Sequence, residues 1–152
     1  MKKLALLILL MMIFQSSVFS RPVVFNDDGK FGLKDENGNI VVKAEYKKLI
    51  RLGESGWIIQ KGSKFGIMND EGKILVEPKY NRADRVLGKF AKLTKGEKNG
   101  LFDEKGFVIL PPEYSSIDLL FGGMFLTCKN YKYGVTDFNG QPILDNIFDD
   151  IY

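Results

Sequence analysis

Beyond residue 20 the chain alternates short apolar runs with short polar clusters: FGL at 31–33, IVV at 40–42, FGI at 65–67, ILV at 74–76, VIL at 108–110. Each run is bounded by glycine, proline or an Asp/Asn group. No run keeps apolar residues at helical spacing over three turns. β-Branched and aromatic runs between such clusters predict strands and turns, so the expected class is all-β.

The runs recur. Gly32, Gly66, Gly100 and Gly134 stand 34 residues apart, as do Gly38, Gly72, Gly106 and Gly140, and as do Tyr46, Tyr80, Tyr114 and Phe148. The period matches that of a helical tetratricopeptide unit, but the strand-like content rules that unit out. Between the first two strands of each copy lie DENG at 35–38, NDEG at 69–72, DEKG at 103–106 and DFNG at 137–140. The leading Asp or Asn can accept bonds from backbone N–H groups two residues on. The closing glycine suits a positive φ. A calcium loop would need oxygen ligands at alternate positions and a distant glutamate. Only part of that set is present, and a turn accounts for it.

After the second strand, Pro78 and Pro112 are expected to stop pairing, because proline cannot donate a ladder bond. The aromatic row Tyr46, Tyr80, Tyr114 and Phe148 is expected to pack as anchors, with Leu49, Ala83, Ile117 and Ile151 three residues on. A further short strand follows as WIIQ (57–60), AKLT (91–94) and FLTC (125–128). Val23, Val24 and Phe25 match Trp57, Ile58 and Ile59 one period earlier. This phase gives units of about 23–56, 57–90, 91–124 and 125–152 within a single domain, 21–152.

The pattern K-[FY]-G, D-x-x-G, an apolar triplet, P-x-Y and a short apolar strand resembles the bacterial WG (KWG) β-repeat over residues 23–152. Phe31, Phe65 and Tyr133 hold an aromatic at the position that names the family, whereas Asn99 does not, and Trp57 lies in a different strand. The resemblance implies a repeat architecture and an extracytoplasmic bacterial setting, and brings no catalytic residues with it. Four antiparallel β-meanders of this length must stack to bury their apolar faces. They are expected to form an open or curved array, with a small propeller-like closed ring as the alternative.

The first 20 residues change the charge picture. Lys2 and Lys3 precede an apolar run from Leu4 to Phe14. That is too short for a helical span of about 20 residues, and it has the form of a secretory signal peptide. Val18 and Ser20 suit the −3 and −1 positions, so cleavage is expected before Arg21, with export to the periplasm or beyond. Without Lys2 and Lys3 the 22 Lys+Arg become 20 against 19 Asp+Glu, a net charge of +1. Lysines and acids alternate along each copy, unlike the basic stripe of a nucleic-acid binder. No later segment is long enough for a membrane span.

The chain has one cysteine, Cys128, and no histidine. No intramolecular disulfide can form, and Cys128 reads as a small apolar strand residue. Ser–His–Asp and Cys–His nucleophiles are impossible within this chain, and zinc would have a poor ligand set. Neither cofactor nor metal is expected, nor is enzymatic activity. A carboxylate-based hydrolase is the least favoured reading, because the acids recur in turns. The expected function is a non-catalytic binding or scaffolding module for a protein or cell-envelope component. The most irregular segment, LLFGGMF at 119–125, makes Leu120, Phe121 and Phe125 the candidate contact residues. Leu120 and Phe121 could instead fill a junction between units. A carbohydrate- or cell-wall-binding variant requires exposed aromatics, and buried tyrosines at 46, 80 and 114 would remove it.

Overall fold

The structure, a computed structural model, describes residues 21–150. They form four antiparallel sheets in chain order. The first contains β1 (Val23–Asp27), β2 (Lys30–Lys34) and β3 (Ile40–Tyr46). The second contains β4 (Lys48–Leu52), β5 (Gly56–Lys61), β6 (Lys64–Asn69) and β7 (Ile74–Tyr80). The third contains β8 (Arg82–Val86), β9 (Phe90–Lys95), β10 (Lys98–Asp103) and β11 (Val108–Tyr114). The fourth contains β12 (Ser116–Leu120), β13 (Met124–Lys129), β14 (Lys132–Asp137) and β15 (Pro142–Phe148). The leader expected at 1–20, and Ile151, lie outside the described residues.

The sheets keep the 34-residue period but take a different phase from the units placed at 23–56, 57–90, 91–124 and 125–152. Those units would separate β4 from β5, yet Leu49 pairs with Ile59 and Arg51 with Trp57. The break between sheets falls at single linking residues. There the N–H groups of Lys47, Asn81 and Ser115 donate to the carbonyls of Gln60, Thr94 and Cys128 at 2.7, 2.7 and 2.8 Å. The segment after Tyr46, Tyr80 and Tyr114 is thus a strand, which pairs with the apolar strand that follows it.

The sheets stack face to face around three cores. Leu33, Val42 and Tyr46 of the first sheet meet Trp57, Ile59 and Met68 of the second. Ile58, Ile67, Val76 and Tyr80 of the second meet Ala91, Leu93 and Phe102 of the third. Leu101 and Leu110 of the third meet Ile117 and Phe125 of the fourth. Among the described residues no core joins the first sheet to the fourth, so the array is open rather than a ring. Stacking on both faces explains why GWIIQK is apolar in unbroken sequence instead of alternating: Trp57 and Ile59 face backward along the array, Ile58 forward.

The four DxxG-type turns form as expected. The side-chain oxygens of Asp35, Asn69, Asp103 and Asp137 accept from N–H groups two and four residues on, at 2.8–3.1 Å. At Asp35 the Asn39 side chain, together with backbone N–H groups of the turn, holds the carboxyl below its usual pKa. Gly38, Gly72, Gly106 and Gly140 have φ between +80° and +86°.

The prolines do not end their strands. β7 runs through Pro78, and β11 through Pro111 and Pro112. The pairing steps from Phe65↔Tyr80 to Ile67↔Val76, so one residue on β6 faces three on β7. Proline fits in this bulge of an edge strand because no ladder bond is lost there. Gly66 lies beneath the bulge, where a Cβ would overlap the Val76 carbonyl and sit 2.9 Å from Pro78 N. Gly32, Gly100 and Gly134 hold the same place: close approach of the partner strand, not backbone conformation, requires glycine there.

Candidate functional site

In each four-stranded sheet the first and third turns lie at one end of the strands. The second turn and the link between sheets lie at the other. Turns 53–55, 69–73, 87–89, 103–107, 121–123 and 137–141 therefore line one edge of the array, which carries two adjoining clefts. A cleft of about 350 Å³ is walled by Glu54, Asp70, Glu71, Leu75 and Glu104. A second, of about 570 Å³, is walled by Lys89, Phe107, Ile109, Phe138 and Asn139. Glu54, Glu104 and Lys105 line both, so the clefts form one trough across the second, third and fourth sheets.

A polar network organises the trough. Asp70 is 6 % exposed and accepts from Trp57 Nε1 at 2.7 Å. The Arg51 guanidinium also donates to it, from Nη2 at 3.2 Å, while its carbon centre lies 4.8 Å from the Trp57 ring centroid. Arg51 further donates to the Glu54 carbonyl, and Arg21 pairs with the Glu54 carboxylate. The Glu54 N–H donates to Glu104 of the third sheet, whose carboxylate lies against Gly53, where any Cβ would overlap it. Gly53 N–H donates to the Gly88 carbonyl at 2.7 Å. At the far end, Phe138 packs on Phe90 and Phe125 with centroids 5.7 and 5.1 Å apart, and Lys89 Nζ lies over Phe90 and Phe138.

The segment 119–125 does not act as one surface. Phe121, at the tip of the β12–β13 turn, is fully exposed and fills no junction, whereas Leu120 is half-buried. Phe125 is 1 % exposed and belongs to the third core, so it cannot meet a partner. Its place in the strand decides this: it corresponds to Trp57 and Ala91, which face the preceding sheet. Tyr46 and Tyr80 are buried and Tyr114 is half-buried against the third core, so this row packs the stack and offers no stacking platform. Phe148, the fourth member of the row, is exposed on the last sheet, where no described sheet follows it. Burial raises the pKa of Tyr46 to about 12, with the Glu45 carboxylate adding to it. Cys128 is a buried free thiol. Among the described residues no three of His, Cys, Asp or Glu gather as a possible metal site, and no helix is long and apolar enough to cross a membrane.

Sequence reasoning did not single out Arg51, Asp70 or Glu104. The available signal was that Arg51, Trp57 and Asp70 occur together in one copy only. Asn99, where an aromatic was expected, bonds the β11–β12 link instead: its Nδ2 donates to the Ser115 carbonyl at 2.9 Å, and Thr94 Oγ1 donates to its Oδ1.

Stacked antiparallel meanders with a fixed period, a DxxG turn and a glycine under a bulge define a tandem β-repeat protein. The model of the WG containing repeat matches residues 31–61, 65–98 and 100–133, well over half the chain, and the protein belongs to this family. The fourth sheet repeats the same β14–β15 bulge and turn outside the matched ranges. No curated protein matches the chain.

Proposed function

We propose that the protein is an exported, non-catalytic binding or scaffolding module that holds a protein or cell-envelope component along its turn edge. The trough shared by the two clefts carries this reading. It crosses three sheets at turns where the copies differ, with Glu54 and Ser55 of the second sheet, Lys89 of the third and Phe138 and Asn139 of the fourth in its walls. Phe107 and Phe121 expose rings on this edge, beside lysines and carboxylates. Such a mixture suits an extended partner held by apolar anchors and a polar rim. The absence of histidine from the sequence, and the use of the turn acids as hydrogen-bond acceptors, support a non-catalytic role.

The test is photo-crosslinking in cells, with a benzophenone side chain placed at Phe107, at Phe121, or at Gly62 on the opposite edge. The expected result is a discrete adduct from 107 and 121 and none from 62. Equal labelling from both edges, or none from the trough, would count against the reading. Export is checked on the same material by N-terminal sequencing: a product beginning at Arg21 is expected, and one retaining Met1 would refute cleavage.

A further inference from the structure

The three internal interfaces share one grammar. The forward face of a sheet offers Val42, Val76 or Leu110 and a tyrosine. The backward face of the next offers Trp57, Ala91 or Phe125 and, on the neighbouring strand, Met68 or Phe102. The DxxG glycine of the later sheet seats against the earlier one. A Cβ on Gly72 would lie 2.9 Å from Val42 Cγ2, one on Gly106 would lie 2.8 Å from Leu75 Cβ, and one on Gly140 would overlap the Ile109 carbonyl.

Among the described residues both halves of this interface recur without a partner. On the fourth sheet Ile143 and Leu144, the counterparts of Leu75 and Val76, are 53 % and 42 % exposed. On the first sheet Val23, the counterpart of Trp57, is 62 % exposed, and nothing lies within 4 Å of a Cβ built on Gly38. Two copies depart from the apolar residue at the place of Met68 and Phe102: the fourth sheet has the buried Thr136, and the first has Lys34, its Nζ 4.4 Å from the Phe25 ring centroid.

We propose that a second copy of this chain docks its first sheet on the forward face of the fourth sheet, continuing the array head to tail. The internal interfaces specify the occupant: a forward face of this type is covered three times by a backward face of the same repeat. Such a contact is heterologous, and so propagates to a filament or closes as a ring according to the rotation between copies. Lys34 weakens the joint by bringing an ammonium group to an otherwise apolar seam, which makes association dependent on concentration. The inference rests on the packing of the sheets and is independent of the trough.

Sedimentation velocity of the purified protein from low to high micromolar concentration tests it. The expected result is growth beyond monomer with concentration. Lys34→Met should shift half-association to a concentration roughly tenfold lower, the scale of one apolar side chain gained at an interface. Val23→Asp and Ile143→Asp alter opposite, exposed ends, and each alone should stay monomeric. Mixed together they should give a dimer that grows no further, because each retains the half the other lacks. Circular dichroism and thermal melting confirm that each variant is folded. A monomer at every concentration for both the parent and Lys34→Met would overturn the proposal and assign these faces to another protein or to residues 1–20. Association abolished by Ile143→Asp but untouched by Val23→Asp would also overturn it, in favour of a symmetric pairing of fourth sheets.

Discussion

Asp70 is the only buried charged side chain among the described residues, and its replacement tests how the second sheet is fastened. Asp70→Ala removes the acceptor from Trp57 Nε1 and the counter-charge from Arg51. A hydrogen bond to a charged acceptor contributes about 1.5–3 kcal/mol, and a buried donor left unpaired adds to the loss. Breaking a fully buried ion pair costs about 3–5 kcal/mol. Here the Arg51 side chain is 25 % exposed, and water recovers part of its solvation. The net expectation is a loss of about 3–4 kcal/mol for alanine. Asparagine should lose about 2, since its amide oxygen can still accept from the indole. With an m-value of about 2 kcal/mol/M, the alanine variant should unfold about 1.5–2 M earlier in urea. Trp57 is the only tryptophan in the chain, so its emission reports the transition at this interface. A double-mutant cycle with Arg51→Ala should return a coupling of at least about 0.5 kcal/mol, as expected for residues in contact. An Asp70→Ala midpoint within error of the parent would refute the reasoning.

Tyr80 is buried and meets Phe102 edge-on at 5.7 Å, so Tyr80→Ala should cost about 3–5 kcal/mol and Tyr80→Phe no more than about 1; an unchanged melting temperature for alanine would contradict a packing role. Tyr46 is neutral when protonated, and burial raises its pKa from 10.0 to about 12. Its contribution is therefore fully present below pH 10, where the unfolded state is also protonated, and declines as pH rises toward 12. Urea unfolding at successive pH values should show this decline, with a shallower slope in Tyr46→Phe; equal slopes would remove Tyr46 as a cause. Asparagine tolerates positive φ, so Gly38→Asn should leave stability nearly unchanged at low protein concentration. Gly140→Asn should cost about 1–3 kcal/mol, because its Cβ meets the Ile109 carbonyl; equal losses in thermal melts would show that turn conformation alone sets the requirement.

The period, the strands and the turns were legible because each depends on neighbours in sequence. Asp35 with Asn37 and Asn39, closed by Gly38, makes a turn whose bonds all lie within a few residues. The phase of the sheets was not legible, because it depends on which of two hairpins carries the break. KLIRL at 48–52 looks like a connection until Leu49 is seen to pair with Ile59. The prolines misled for a related reason: a proline stops a ladder only where its N–H is required, and Pro78 lies in a bulge on an edge. Phe125 stood out because the loop before it is irregular, yet its own strand position places it in the core.

The trough was hidden because it is built by one repeating position filled with unlike residues. The second residue of each DxxG turn sits at this edge, and its partners differ from copy to copy. Asp70 there binds Trp57, Glu104 accepts from the Glu54 N–H beside Gly53, and Phe138 packs on Phe90 and Phe125. Glu104 and Phe138 thus close the second and third interfaces at this edge, while Asp70 fixes Trp57, whose ring enters the first core, within its own sheet. In the first copy Glu36 holds this position and is exposed, with no described sheet behind it. A search for sameness passes over such a position, since its identity varies with the residue it meets: Trp57 of the same sheet for Asp70, Gly53 of the preceding sheet for Glu104, Phe90 of the preceding sheet for Phe138. Variation there follows the partner, within the sheet for Asp70 and across the interface for Glu104 and Phe138, and that pairing gives each stretch of the trough its own chemistry on a common backbone.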